Sequence, residues 1–172
     1  LFRDMRKAVD RILVAVKSGE HITMYGDYDA DGVSAASIMA DTLTLLGATF
    51  DVYLPDRETE GYGLNRNAVE KFADSGTKIL ITGDCGISNI AEVTYARERG
   101  IDVIVTDHHE RRSDAEGNEI LPPAFAILHP HVAGETYPRE PLSGGGVAFK
   151  LAQGLLRSHN GIKDYDAEEK WL

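Results

Sequence analysis

Short apolar runs of strand type alternate with amphipathic helical stretches along most of this chain, and that alternation leaves few folds open. The periodicity predicts a lead-in helix over Phe2–Lys17, with Met5, Val9, Ile12, Leu13 and Val16 on one face and Gly19 as its stop. It then predicts strands over Ile22–Tyr25, Phe50–Leu54, Lys78–Thr82, Asp102–Val105 and Ala124–Leu128. Between and after them fall helices over Val33–Leu46, Asn67–Ala73, Ile90–Arg99 and Val147–Arg157. Apolar strands separated by helices require a mainly parallel sheet covered on both faces, so the expected fold is doubly wound α/β. In such sheets ligands bind beyond the carboxyl ends of the strands, near the point where strand order reverses. The stretches Arg111–Gly117 and His131–Pro141 read as surface excursions.

With 172 residues, 42% of them hydrophobic, the chain can furnish the core of one such domain. No apolar run approaches the roughly 20 residues of a bilayer span, so a soluble protein is expected. The lone cysteine, Cys85, excludes an internal disulfide and fits a reducing, cytoplasmic compartment. A net charge of −10 argues against binding nucleic acid through bulk positive potential, so a phosphate-bearing substrate requires bound cations or a local basic patch. The chain opens on Leu1, and Asp166–Leu172 begins what reads as another amphipathic helix. Both features fit either a fragment of a longer protein or a trimmed natural terminus.

Three predicted strands run directly into ionisable residues. These are Gly26-Asp27-Tyr28-Asp29-Ala30-Asp31-Gly32, Gly83-Asp84-Cys85-Gly86 and Asp107-His108-His109-Glu110. On one sheet edge, Asp27, Asp29, Asp31, Asp84 and Asp107 would converge with two imidazoles, a crowding of like charge that calls for divalent metal. Singly, Asp31 reads equally as a helix cap, and Asp27 and Asp29 as turn formers. The opening Asp27-x-Asp29-x-Asp31-Gly32 matches a calcium loop, but its twelfth position is Ile38 in place of a bidentate Glu and a strand precedes it. An oxygen-rich set with few imidazoles suits Mn2+ or Mg2+ better than zinc. Cys85, flanked by glycine, is expected to be a small buried thiol and no nucleophile.

Two further segments carry chemistry. Ser143-Gly144-Gly145-Gly146, with Lys150 beyond, stands where a helix begins, either to cradle phosphate on its amides or to permit close packing. The loop from Arg57 to Arg66 places Tyr62 between two glycines, with Asn65 nearby, either to stack a base and contact phosphates or as ordinary turn chemistry. His129 and His131, flanking Pro130, are substrate contacts or satisfied loop residues.

Asp-Tyr-Asp-Ala-Asp-Gly, Gly-Asp-Cys-Gly-Ile, Asp-His-His-Glu and Ser-Gly-Gly-Gly-Val-Ala-Phe-Lys, in that order over nearly the whole chain, resemble the motifs of the DHH phosphoesterase family. Pro55-Asp56-Arg57 and Gly61-Tyr62-Gly63-Leu64 look like the branch that degrades single-stranded DNA from its 5′ end in repair and recombination. The resemblance implies two manganese or magnesium ions, with Asp84 bridging them and Asp29, Asp31 and His108 completing much of their coordination. It implies that His109 faces the scissile phosphate, that Asp107 orients the histidines, and that Arg57, Tyr62, Asn65, Ser143, Gly144, Gly145 and Gly146 contact substrate. Asp27 is a further candidate ligand, since other members place a histidine where this chain has Tyr25. Family members of this branch carry another metal-binding aspartate and a second, closing domain beyond the segment present here, so residues 1–172 are expected to be one truncated catalytic domain. Single-stranded DNA and repair proteins are the implied partners. Two other readings stand open: a family member acting on oligoribonucleotides, cyclic dinucleotides or pyrophosphate, and an inactive nucleic-acid-binding module.

Overall fold

The computed structural model describes residues 1–137 and 141–160. The helix expected over 166–172, and 138–140 of the predicted loop, lie outside them. In chain order the elements are α1 (Met5–Ser18), β1 (His21–Gly26), α2 (Ala30–Leu45), β2 (Thr49–Tyr53), α3 (Arg66–Asp74), β3 (Thr77–Gly83), α4 (Ile90–Glu98), β4 (Asp102–Thr106), β5 (Arg112–Ser113), β6 (Glu119–Ile120), β7 (Ala126–Leu128) and α5 (Gly144–His159). Every strand and helix expected from the periodicity within the described residues is present.

The main sheet has order β2-β1-β3-β4-β7 and is parallel throughout. Alternation of side chains divides the core in two. Ile22, Met24, Ile79, Ile81, Ile104 and Leu128 pack under α1, α2 and α5, whereas Tyr25, Leu80, Val103, Val105 and Ile127 pack under α3 and α4. The chain steps outward from β1 to β2 and returns to β3 on the other side, so strand order reverses between β1 and β3. Asp27 and Asp84 leave those two strands at that point, where the fold leaves a crevice for a ligand. No helix among the described residues is long and apolar enough to cross a membrane.

Departures from the expected boundaries have local causes. α2 starts three residues early because the Asp29 carboxylate accepts the amides of Asp31 and Gly32, both at 3.0 Å, drawing the polar turn into the helix. α5 starts at Gly144 for the same reason, with Ser143 Oγ accepting from Gly146 N at 3.2 Å. The excursion after His109 holds a small antiparallel pair, β5 with β6. Its turn is closed by Asp114, which accepts the amides of Glu116 and Asn118.

Candidate metal centre

The rim is built where β1, β3 and β4 end. Gly26 lies so close to Gly32 and Ala36 that a β-carbon there would overlap both, which lets the acidic turn fold tightly over α2. The Asp27 amide donates to Gly83 O at 3.1 Å and the Asp84 amide to Thr106 O at 2.9 Å, so each acidic turn is stitched to the next strand. Asp84 adopts φ 63°, the one non-glycine residue among those described with positive φ. Left-handed backbone at an aspartate stores strain of the sort that functional sites retain.

Asp107 is completely buried. Its Oδ1 accepts from His108 N at 2.7 Å, His109 N at 3.1 Å and His109 Nδ1 at 2.8 Å, and its Oδ2 accepts from Ile87 N at 2.9 Å. Burial alone would raise its pKa, but these bonds, with that from the His109 ring foremost, outweigh it and hold the carboxyl below its usual range. The same bond lifts His109 to about 9. With Nδ1 committed to Asp107, Nε2 of His109 makes no hydrogen bond among the described residues.

Two sets of donors converge in front of this anchor. Asp84, His108 and His109 offer ligand atoms within 4.8 Å of one another, as do Asp27, Asp29 and Asp84. His108 Nε2 lies 3.1 Å from Asp84 Oδ1 and 3.6 Å from Asp31 Oδ2. Asp84 is thus common to both groups. Among the described residues the buried Oδ1 of Asp27 has no hydrogen bond, and the buried Oδ1 of Asp84 has only the ion-pair approach of His108 and, farther off, His109. Burial, followed by the charge of Asp31, pushes Asp84 up to about 7. Unpartnered carboxylate oxygens under a partly open rim are costly in the absence of a cation. An oxygen-rich donor set with imidazole beside it fits a hard divalent ion.

Asp31 is held from across the fold. Its two oxygens accept the amides of Gly144 at 2.6 Å and Gly145 at 2.8 Å. Burial would raise its pKa, but these bonds, that of Ser143 and the His108 charge keep it low. A β-carbon on Gly144 would overlap the Asp84 carboxylate. Close packing accounts for Gly144 and is tight at Gly145, where a β-carbon would lie 3.1 Å from Asp31 Oδ1; the amides of both are taken by Asp31 and that of Gly146 by Ser143 Oγ.

The loop from Arg57 to Arg66 is equally well braced. Asn65 caps α3 by accepting from Ala68 N at 2.8 Å, and its amide donates to Glu60 at 3.1 Å, so its side chain is committed within the chain. Tyr25, fully buried, donates to Gly63 O at 2.8 Å. Asn89 brackets Leu64, accepting from its amide and donating to its carbonyl. On this frame Tyr62 is half exposed and meets the His109 ring edge-on, centroids 5.5 Å apart. Arg57 lies over the Tyr28 ring at 5.3 Å, beside the acidic turn, whereas Arg66 stacks on Tyr95 at 3.8 Å, between α3 and α4. Cys85 is entirely buried, and burial pushes its thiol well up, as expected of an inert residue.

His129 is completely buried, with its Nε2 2.8 Å from His109 O and its Nδ1 accepting from His131 N at 3.1 Å. It is the satisfied residue of the two readings. Neither this bond nor the hold of Gly144 on Asp31 had a signal in the sequence, because each joins segments far apart in the chain.

A doubly wound parallel sheet whose switch point gathers aspartates and histidines defines an α/β domain with an acidic rim whose donors could hold a hard divalent cation. Residues 21–171 match the DHH family, N-terminal domain, and the chain belongs to that family. It is 49% identical over 154 residues to the single-stranded-DNA-specific exonuclease RecJ of Bacillus subtilis (strain 168), covering 90% of this chain and 19% of that protein. It is 37% identical over 152 residues to the RecJ of Escherichia coli (strain K12), covering 88% of this chain and 25% of that protein. The crystal structure of exonuclease RecJ bound to manganese superposes with a TM-score of 0.81 at 33% identity, over 94% of this chain and 39% of that one. The chain thus spans about a fifth to a quarter of the length of these curated relatives.

Proposed function

We propose that this domain supplies the cation-binding half of a 5′ to 3′ exonuclease on single-stranded DNA, cytoplasmic and working with other proteins in DNA repair and recombination. The observation that carries the hydrolytic reading is the convergence of the buried Asp27 and Asp84 carboxylates with Asp29, His108 and His109 at the switch point, ligand atoms of each set lying within 4.8 Å of one another. Asp29, Asp31, Asp84 and His108 would hold two manganese or magnesium ions, with Asp27 beside them, as one member of the set that contains Asp84. When bound, such cations acidify a water and neutralise charge on a phosphate undergoing displacement.

The chain's own residues do the rest. Asp107 fixes the His109 ring through Nδ1, leaving Nε2 to donate a proton or hydrogen bond to a phosphate oxygen. Tyr62, packed edge-on against that ring, offers a stacking surface for the terminal base, and Arg57 offers a guanidinium to the backbone. Choice of substrate is supported by likeness to relatives named for single-stranded DNA.

The test uses a chain extended past Leu172, manganese and three substrates: a long 5′-labelled single strand, the same strand as duplex, and dinucleotides. Release of mononucleotides from the single strand, lost in Asp84→Ala, is expected. Faster cleavage of dinucleotides with no action on long strands would replace this reading with a small-substrate phosphoesterase.

A further inference from the structure

We propose that His129 is a positioning residue for His109: its buried ring donates to the His109 carbonyl and thereby sets the direction in which the His109 ring presents its free nitrogen. The inference rests on the reading above in one respect, that His109 faces the phosphate.

The assignment of protons follows from the two contacts. Nδ1 of His129 accepts from the His131 amide, so it carries no proton, and Nε2 therefore bears the proton and donates to His109 O. A completely buried imidazole with one nitrogen accepting and the other donating is neutral and has a single productive orientation. The ring stands just beyond β7, which pairs with β4 through Thr106 and Leu128, so its support is the sheet itself.

His109 consequently has contacts on both sides. Its amide and Nδ1 are tied to Asp107 Oδ1, and its carbonyl is tied to His129. Asp107 fixes the ring nitrogen but does not reach the His109 carbonyl, and beyond it the chain departs through exposed Glu110, whose own carbonyl accepts from Ser88 Oγ at 3.0 Å, into the β5–β6 hairpin, so the bond from His129 is what sets the peptide between these two anchors. Rotation of that peptide would carry His109 away from Asp107 or swing its ring off Tyr62. Few side chains could replace His129, because one rigid group must accept a hydrogen bond from the amide of residue 131 and donate one to the carbonyl of residue 109. Partners that lie behind a functional histidine in this way set its orientation, and their loss commonly costs activity without removing the histidine.

The experiment compares wild type, His129→Phe, His129→Gln and His129→Asn in the full-length protein. It reads kcat and KM on a 5′-labelled single strand, manganese affinity, and the His109 ring 15N shifts in histidine-labelled protein. His129→Phe should lower kcat by roughly 10- to 100-fold, with KM and manganese affinity held within about twofold, and should shift the His109 ring signals. Gln, whose amide lies near the Nε2 position, should restore most of the rate, whereas the shorter Asn should not. Should the Phe variant fail to fold, the Gln and Asn pair decides. Equal rates in those two, a wild-type kcat in His129→Phe, or a loss confined to manganese affinity would overturn the proposal. A wild type without exonuclease activity would sink the substrate reading alone, because the ring shifts test His129 without turnover.

Discussion

The Gly144 amide donates to the Asp31 carboxylate at 2.6 Å across 113 positions of sequence. Gly145 holds the other oxygen, and the missing side chain of Gly144 is the space in which the Asp84 carboxylate sits. The start of α5 is therefore a wall of the rim, and its positive dipole end stabilises the negative charge of Asp31.

Replacing Gly144 with Ala should cripple the site while leaving the fold in place. The added carbon collides with Asp84, a buried group whose strained backbone gives it little room to retreat. Manganese affinity measured by calorimetry should fall by roughly tenfold or more. Gly154→Ala is the contrast, since a β-carbon there meets Met5 and Val9 at 3.1 Å, side chains of the α1–α5 contact, and should lower thermal stability without touching affinity. Unchanged manganese binding in Gly144→Ala would mean that Asp84 is not where the ion sits.

In chelator, stability should decline as pH rises. Asp84 unfolded loses its proton near 3.8 but folded near 7, so between those values the folded state binds more protons and stability falls with increasing pH. His109, raised from 6.5 to about 9, contributes stability that is complete below 6.5 and lost as pH passes through about 9. Asp31 and Asp107, both held low, add stability already complete above about pH 4 and do not alter the trend. Below pH 6.5 the buried His129 ring, held below its usual range, works against Asp84, so melting temperatures in chelator should drop from about pH 6.5 through pH 9. Asp84→Asn should flatten the first part of that drop, and manganese at pH 8 should reverse it. A melting temperature that climbs over this range would contradict the assignment.

The alternation of apolar strands and helices was readable because it is local: buried strands such as Ile79–Ile81 and helix faces such as Met5, Val9 and Ile12 declare themselves within a few residues. The rim was readable for a related reason, since parallel strands point their carboxyl ends one way and the acidic residues follow those ends directly. What holds the rim was not. Asp31 to Gly144, His109 to His129 and Arg57 over Tyr28 depend on how distant turns meet. Asp29 and Ser143, taken as site residues, also cap helices and so shifted the helix starts. The β5–β6 pair escaped because two-residue strands have no period.

Asn65 should prove structural before it proves functional. Asn65→Ala removes the acceptor for Ala68 N and the donor to Glu60, and should lower unfolding free energy by about 1–2 kcal/mol. Asn65→Asp keeps the acceptor but brings a second carboxylate against Glu60, so it should recover only part of that stability. Urea midpoints at pH 7 decide between them, and an Ala variant as stable as wild type would show that the cap is dispensable.

Tyr62 and Arg57 should act on substrate binding, each in its own way. Tyr62 presents half its surface beside His109 and its hydroxyl makes no hydrogen bond among the described residues, so Tyr62→Phe should bind single strands like wild type. Tyr62→Ala should weaken binding by about 1–3 kcal/mol, the usual worth of one stacked base, with little dependence on salt. Arg57→Ala should instead reduce the slope of log affinity against log salt by about 0.7, the share of one phosphate contact on a single strand. Tyr28→Leu, which removes the ring under the guanidinium, should shift that slope in the same direction by less, because the charge stays but loses its seat. Fluorescence anisotropy with a 5′-labelled strand, in calcium to prevent turnover, measures all four. A Tyr62→Ala variant with a changed salt slope, or an Arg57→Ala variant without one, would reverse the two roles.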